Sequence, residues 1–303
     1  MNFKKIWETL KTIIDEYSND RVPKLAAALS YYTVFSVAPL LVIAIAVAGA
    51  IFGADAAQGR IVQELKSLIG YDGAQMLQTA IRKTNQTSGG LIATIISIIT
   101  LAIAATAAFI ELQDSLDIIW KVKPKPGGAF LKDFIRTRLI SFALVVAMGF
   151  LLLVSLLISA GLSALEDYLG SITAIPPVVL QVANLVISLG VVYVLFVLLF
   201  KILPDVEIAW RDVWVGALVT TVLFVAGKFL IGLYLGRGSV GSTYGAAGSL
   251  AILLVWVYYS AQILFLGAEF TYVYATRFGS GAKPSAHAVP SITRLQEHAK
   301  TGS

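Results

Sequence analysis

"YGAAGSLAILLVWVYYSAQILFLGAEF", residues 244–270, is the stretch whose reading decides the fold. From Ser249 it stays apolar for about 20 positions, enough at ~1.5 Å each to cross ~30 Å of hydrocarbon. It then arrives at a carboxylate, Glu269. A charge at the centre of a bilayer costs at least ~2.5 kcal/mol, so protein must shelter this one. A span entering from the outer side near Ser249 reaches the inner boundary near position 269, which makes Glu269 shallow rather than central.

The rest of the chain is of the same kind. Of 303 residues 57% are hydrophobic and 14% charged, against about 25% charged in a globular protein. Further apolar runs cover Leu25–Phe52, Leu91–Ile110, Leu139–Leu162, Val178–Phe200 and Val213–Leu235. With the quoted stretch they predict an all-α polytopic membrane protein of six transmembrane helices. The first run starts too late and runs too long for a signal peptide and is read as a retained span.

Ahead of it, Phe3, Ile6, Trp7, Leu10, Ile14 and Tyr17 recur at helical spacing, with Lys4, Lys5 and Lys11 on the remaining face. That pattern predicts an amphipathic helix lying in the membrane interface. Residues 53–90, between the first two spans, alternate apolar and charged positions around "GYDG" and predict an extramembrane helical pair. The chain thus divides into an N-terminal segment, 1–24, a six-span domain, 25–275, and a tail, 276–303. The tail's "GSGAKPSAHAVPS" is too poor in apolar surface to fold and is expected to be disordered.

Orientation follows from counting Lys and Arg. With the N-terminus inside, the inner segments hold seventeen and the outer segments five, Arg60, Lys66, Arg82, Lys83 and Arg237. Both termini are therefore expected in the cytoplasm.

Candidate site residues are the polar groups that the bilayer penalises. By the same depth count, Glu111 reaches the inner boundary beside Glu269, and Arg21 and Lys24 precede the first span at that level. An inner charge cluster of Arg21 or Lys24 with Glu269 and Glu111, flanked by Asp114 and Asp117, is expected, either as a structural clamp or as a gate. Lys228 lies beyond the midplane of the fifth span and must snorkel, pair or face a water-filled cavity. Pro39 removes the hydrogen bond to the Phe35 carbonyl and predicts a kink, with Tyr31, Tyr32 and Ser36 beside it. Gly232 and Gly236 are read as a close packing point. The Gly-rich outer turn around Tyr244 is either a plain turn or a lip lining a cavity.

Four segments together resemble a known family: "AAALSYYTVFSVAPLLVIAIAVAGAIFG", "LPDVEIAWRDVWVGA", "GLYLG" and "STYGAAGSLAILLVWVYYSAQILFLGAE". In this order and spacing they resemble the YihY/BrkB family of bacterial inner-membrane proteins. "SLDIIW" looks like that family's Leu-Asn-x-x-Trp pattern, with Asp117 where Asn is commoner. The resemblance implies a six-helix protein of the bacterial inner membrane. It also brings three functional labels: ribonuclease BN, virulence factor of serum resistance, and transporter or exporter.

The residues speak against the first label. Metal-dependent hydrolysis needs clustered His and carboxylate ligands, whereas both histidines, His287 and His298, fall in the tail and cysteine is absent. "GRGSVGSTYGAAG" lacks the ending of a Walker loop, so no ATPase is expected. No metal, cofactor or catalytic residue is expected either. The basic loop 121–138 suits anionic lipid headgroups, and with only Phe130 and Phe134 for stacking it predicts no nucleic-acid partner. The favoured expectation is transport or export of a small-molecule or lipid-related substrate. The competing one is a non-transporting membrane factor for envelope integrity.

Overall fold

The structure is a computed structural model that describes residues 3–52, 78–79, 91–125, 143, 147, 177–237 and 246–291. The expected helical pair at 53–90 and the run Leu139–Leu162 lie almost wholly outside these residues. Among the described residues the elements run α1 (Phe3–Asn19), α2 (Val22–Phe52), α3 (Leu91–Ile119), β1 (Val122–Pro124), α4 (Pro177–Ile202), β2 (Val206–Ile208), α5 (Trp210–Arg237), α6 (Ala246–Arg277), β3 (Ala282–Pro284) and β4 (Ala288–Pro290).

The long helices are apolar nearly all round, which is the pattern of a helix whose outer face meets lipid rather than water. Three described segments are long and apolar enough to cross a membrane: Leu185–Ile202, Trp210–Ile231 and Leu250–Arg277. On α5 the residues Trp214, Leu218, Val222, Val225 and Phe229 form one exposed stripe at helical spacing. A soluble protein does not leave so continuous an apolar stripe uncovered. Pro39 lies within α2, which stays helical on both sides of it.

The hub is α6, which packs against α5, α2, α1 and α3. Its seam with the antiparallel α5 is built on two reciprocal contacts. A Cβ on Gly216 would lie 1.9 Å from Thr271 Oγ1, and one on Gly267 would lie 2.0 Å from Thr220 Oγ1. Each threonine hydroxyl donates to the glycine carbonyl one turn back on its own helix, Thr220 to Gly216 at 2.8 Å and Thr271 to Gly267 at 2.6 Å. With its polar hydrogen satisfied internally, each threonine can pack its hydroxyl oxygen, with the methyl just behind, onto the bare face of the opposing glycine. The side chains at the expected packing point, Gly232 and Gly236, lie outside the described residues.

The ends of α3, α4 and α6 and the starts of α2 and α5 share one end of the bundle, where the core is densest. Leu116, Ile119, Trp120, Phe200, Leu203, Val213, Phe265 and Val273 are all buried there. Two short antiparallel ribbons close this end: β1 pairs with β4, Val122 opposite Pro290, and β2 pairs with β3, Val206 opposite Pro284.

These ribbons correct the expectation of a disordered tail over residues 276–291, where β3 and β4 form; residues 292–303 lie outside the described residues. Main-chain bonds and one carboxylate supply what its composition lacks. Ser285 N–H donates to the Asp205 carbonyl at 3.0 Å, Ser291 N–H to Lys121 at 2.8 Å, and Lys125 N–H to His287 at 2.9 Å. Asp212, buried in the first turn of α5, accepts the Ser280 N–H at 3.0 Å and its hydroxyl at 2.8 Å.

Candidate functional site

Glu269 is fully buried on α6, at 0% exposure. It is sheltered at the ribbon-bearing end, as its cost demands, but its company differs from the expected cluster. The carboxylate oxygens of Glu16, Asp20 and Glu269 lie within 4.8 Å of one another. The cation among them is Lys121. Its Nζ donates to Asp20 Oδ1 at 2.5 Å and Oδ2 at 2.6 Å and pairs with Glu16 Oε2 at 3.0 Å.

Local structure explains how four residues from three places in the chain converge. Glu16 and Asp20 are four apart at the end of α1, so they share one face. That face is fixed on α6 by the buried Ile13, by the Tyr17 hydroxyl donating to Gln262 Oε1 at 2.8 Å, and by Arg277 Nη2 donating to Thr12 Oγ1 at 2.6 Å. Lys121 follows the last turn of α3 with φ of 56°, a left-handed conformation that costs a non-glycine residue about 1 kcal/mol or more. Such strain persists where surrounding contacts over-determine it. Here those contacts are the two carboxylates and the Tyr272 ring, 5.9 Å from the ammonium.

The electrostatics are lopsided. Among the described residues three carboxylates face one ammonium, and neither oxygen of Glu269 receives a hydrogen bond from a donor. Burial works against the Lys121 charge, but its hydrogen bonds and attraction to Asp20, then to Glu16, outweigh it and hold the ammonium above its ordinary range. Burial lifts the Asp20 carboxyl above its ordinary range, against the pull of Lys121 and with help from the Glu16 charge. Lys121 therefore stays ionised while the acidic partners compete for too little positive charge.

Arg21 and Lys24, the expected counter-ions, are both exposed. Arg21 occupies the α1–α2 turn with φ of 53° and its side chain points to the surface. Glu111 is only half-buried, and the charge that acts on it is Asp114. Asp114 is itself exposed, whereas Asp117 is buried and accepts the Asp205 N–H at 2.7 Å. Burial, followed by the charges of Asp205 and Asp114, pushes Asp117 up to about 8 despite that hydrogen bond. The acidic residues after the second span thus form a separate group around Asp205.

The remaining candidates scatter. Lys228 is exposed on α5, and no ion pair reaches it among the described residues. Tyr31 and Tyr32 are exposed, stacked edge to face at 5.7 Å, with Phe35 5.0 Å from Tyr31. Ser36 is fully buried and accepts the Ala108 N–H at 3.3 Å, so it joins α2 to α3. The Pro39 side chain and Tyr244 lie outside the described residues. Sequence reasoning missed Glu16, Asp20 and Lys121 as site residues; the four-residue spacing of the first two was the available signal.

Relatives of this chain are membrane proteins. It is 27% identical over 278 residues to a UPF0761 membrane protein of Ralstonia nicotianae, covering 88% of this chain and 58% of that protein. A UPF0761 membrane protein of Verminephrobacter eiseniae is 28% identical over 287 residues, covering 88% and 62%. One of Tolumonas auensis is 25% identical over 262 residues, covering 84% and 80%. The chain thus spans about three-fifths of the length of the first two relatives and four-fifths of the third. No solved structure matches it. The model of the virulence factor BrkB family matches residues 13–291, and the chain belongs to that family.

Proposed function

We propose that this protein is a six-span transporter of the bacterial inner membrane that moves a small or lipid-related substrate without hydrolysing ATP itself, with the Glu16–Asp20–Lys121–Glu269 cluster as its inner gate. The observation that carries this reading is Glu269, a fully buried carboxylate inside a long apolar helix with no donor among the described residues. A purely structural clamp would match its charges, because an uncompensated buried ion costs several kcal/mol. Surplus ionisable groups at membrane depth are characteristic of ion and proton pathways.

The topology that goes with this reading has the ribbon-bearing end and both termini in the cytoplasm. The excess of inner Lys and Arg supports it. So do exposed Trp210 and Trp214 at the start of α5, amphipathic rings suited to headgroup depth. On α1, exposed Ile6, Trp7, Leu10 and Ile14 with Lys4, Lys5 and Lys11 suit the cytoplasmic leaflet, and loop 121–138 supplies further lysines for anionic headgroups.

Purified protein in liposomes tests the proposal with two probes, a headgroup-labelled fluorescent phospholipid quenched from outside and an entrapped pH-sensitive dye. Flux of either probe above that of empty liposomes, reduced at least tenfold by Glu269→Gln, is expected. Neither probe moving, with Glu269→Gln indistinguishable from wild type in cells, would overturn the transport reading in favour of a non-transporting envelope factor.

A further inference from the structure

We propose that Asp20 and Glu269 form a proton-binding site in which one exchangeable proton is shared between the two carboxyl groups, and that this proton holds α1 against α6. The inference rests on the gate reading above and names the ion that the gate takes.

The argument begins with what Lys121 already occupies. Both oxygens of Asp20 and one of Glu16 face its ammonium at 2.5–3.0 Å. Glu269, fully buried, points into the same space beside Asp20, and neither of its oxygens takes a hydrogen bond from a donor among the described residues. A divalent cation there would need six or more oxygen ligands, or several waters, and would stand beside a fixed positive charge. A proton needs neither. Placed on Glu269 or Asp20, it turns a repulsive carboxylate pair into a carboxyl–carboxylate hydrogen bond, the arrangement that like charges at such short range enforce. Because the two groups titrate as one, the proton belongs to the pair.

Among the described residues the surroundings offer no rival counter-ion. From α1 the facing charges are Glu16 and Asp20, and from the turn after α3 there is Lys121, with Tyr272 of α6 beneath it. On α2, Arg21 and Lys24 are exposed. On α5, Asp212 is engaged with Ser280. The lift that burial gives the Asp20 carboxyl favours the same outcome.

Movement follows from position. Asp20 directly follows α1 and Glu269 belongs to α6, so loss of the proton leaves two carboxylates within 4.8 Å of each other across the α1–α6 seam. Deprotonation therefore loosens α1, and reprotonation seats it.

Two measurements on the full-length protein test this without any transported substrate. The first is infrared difference spectroscopy of the carboxylic acid carbonyl stretch, in an Asp117→Asn background that removes the buried acid beside Asp205. A band should be present at about pH 7, disappear as pH rises, shift in D2O, and be absent from Glu269→Gln and from Asp20→Asn. The second is the distance between spin labels at Ser18→Cys and Thr276→Cys, readily placed in a chain without cysteine. It should lengthen as the band disappears and stay short at every pH in Glu269→Gln. If neither amide variant folds, the wild-type band and distance are read alone, and they must titrate together. No band at about pH 7, a band untouched by both amide variants, a band abolished by added Mg2+ or Ca2+, or labels that do not move with it overturns the proposal. A titrating band in protein that transports neither liposome probe would instead preserve the proton site and remove the transporter reading.

Discussion

Replacing Asp117 with Asn should make the protein more stable, and most of all at neutral pH and above. Asp117 sits about two helical turns beyond Ile110, clear of the apolar run, at 5% exposure. Its carboxyl rises from 3.8 to about 8, chiefly through burial. A group that holds its proton more tightly folded than unfolded favours the folded state while protonated. That advantage drains away as pH climbs from the unfolded value towards the folded one. At ~1.4 kcal/mol per pH unit, ionisation in the unfolded chain makes Asp117 cost roughly 4 kcal/mol at about pH 7 and roughly 1–2 kcal/mol at about pH 5. Asparagine carries no charge, and its amide oxygen can accept the Asp205 N–H that Asp117 accepts at 2.7 Å. Its amide also suits the field of Asp205 and Asp114, the charges that raise the acid. It is, moreover, the residue commoner at this place in the family's Leu-Asn-x-x-Trp pattern. Thermal unfolding in detergent should show Asp117→Asn melting several degrees above wild type at about pH 8 and close to it at about pH 5. An equal shift at both pH values, or a lower melting point at about pH 8, would refute the reasoning by showing that Asp117 is stabilised as an anion.

Three further outcomes follow from the same coordinates. Lys121→Met strands the largely buried carboxylates of Glu16 and Asp20 and should cost about 3–5 kcal/mol, read as loss of monodisperse protein on size exclusion, with partial recovery when Asp20→Asn is added. Gly216→Ala and Gly267→Ala place a Cβ within 1.9 and 2.0 Å of a threonine oxygen and should each destabilise by about 1–3 kcal/mol; Gly190→Ala, with nothing within 4 Å, should be silent in the same melt. Single cysteines at Lys4 and Lys283 should resist an impermeant maleimide in intact spheroplasts and react after lysis; labelling in intact cells would reverse the orientation.

Much of the fold was legible because lipid imposes a crude rule on sequence. Runs such as Leu25–Phe52 and Ser249–Tyr272 are apolar on every face, and α2 and α6 form where those runs stand. The sheltering of Glu269 was legible for the same reason, since a carboxylate there has a cost that must be met. Its partner was not. Lys121 reads as one lysine in a basic loop, and only the left-handed turn after α3 swings it inward. Depth along the membrane normal placed Arg21 and Lys24 at the right level but carried no information about direction around the helix. The tail misled for another reason: composition reports apolar surface, whereas β3 and β4 are held by main-chain bonds to segments far away in sequence. The α5–α6 seam carries no glycine pair or alanine-rich face to mark it, because it repeats glycine and threonine four apart on both helices.

That seam restricts how the molecule can change shape. Gly216 against Thr271 and Gly267 against Thr220 act as two studs in two sockets, so neither helix can slide along the other without leaving both. The α5–α6 pair therefore travels as a single rigid spar, and rearrangement has to pivot where α6 meets α1, α2 and α3. The hinge, on this reasoning, runs along the side that carries the buried acids.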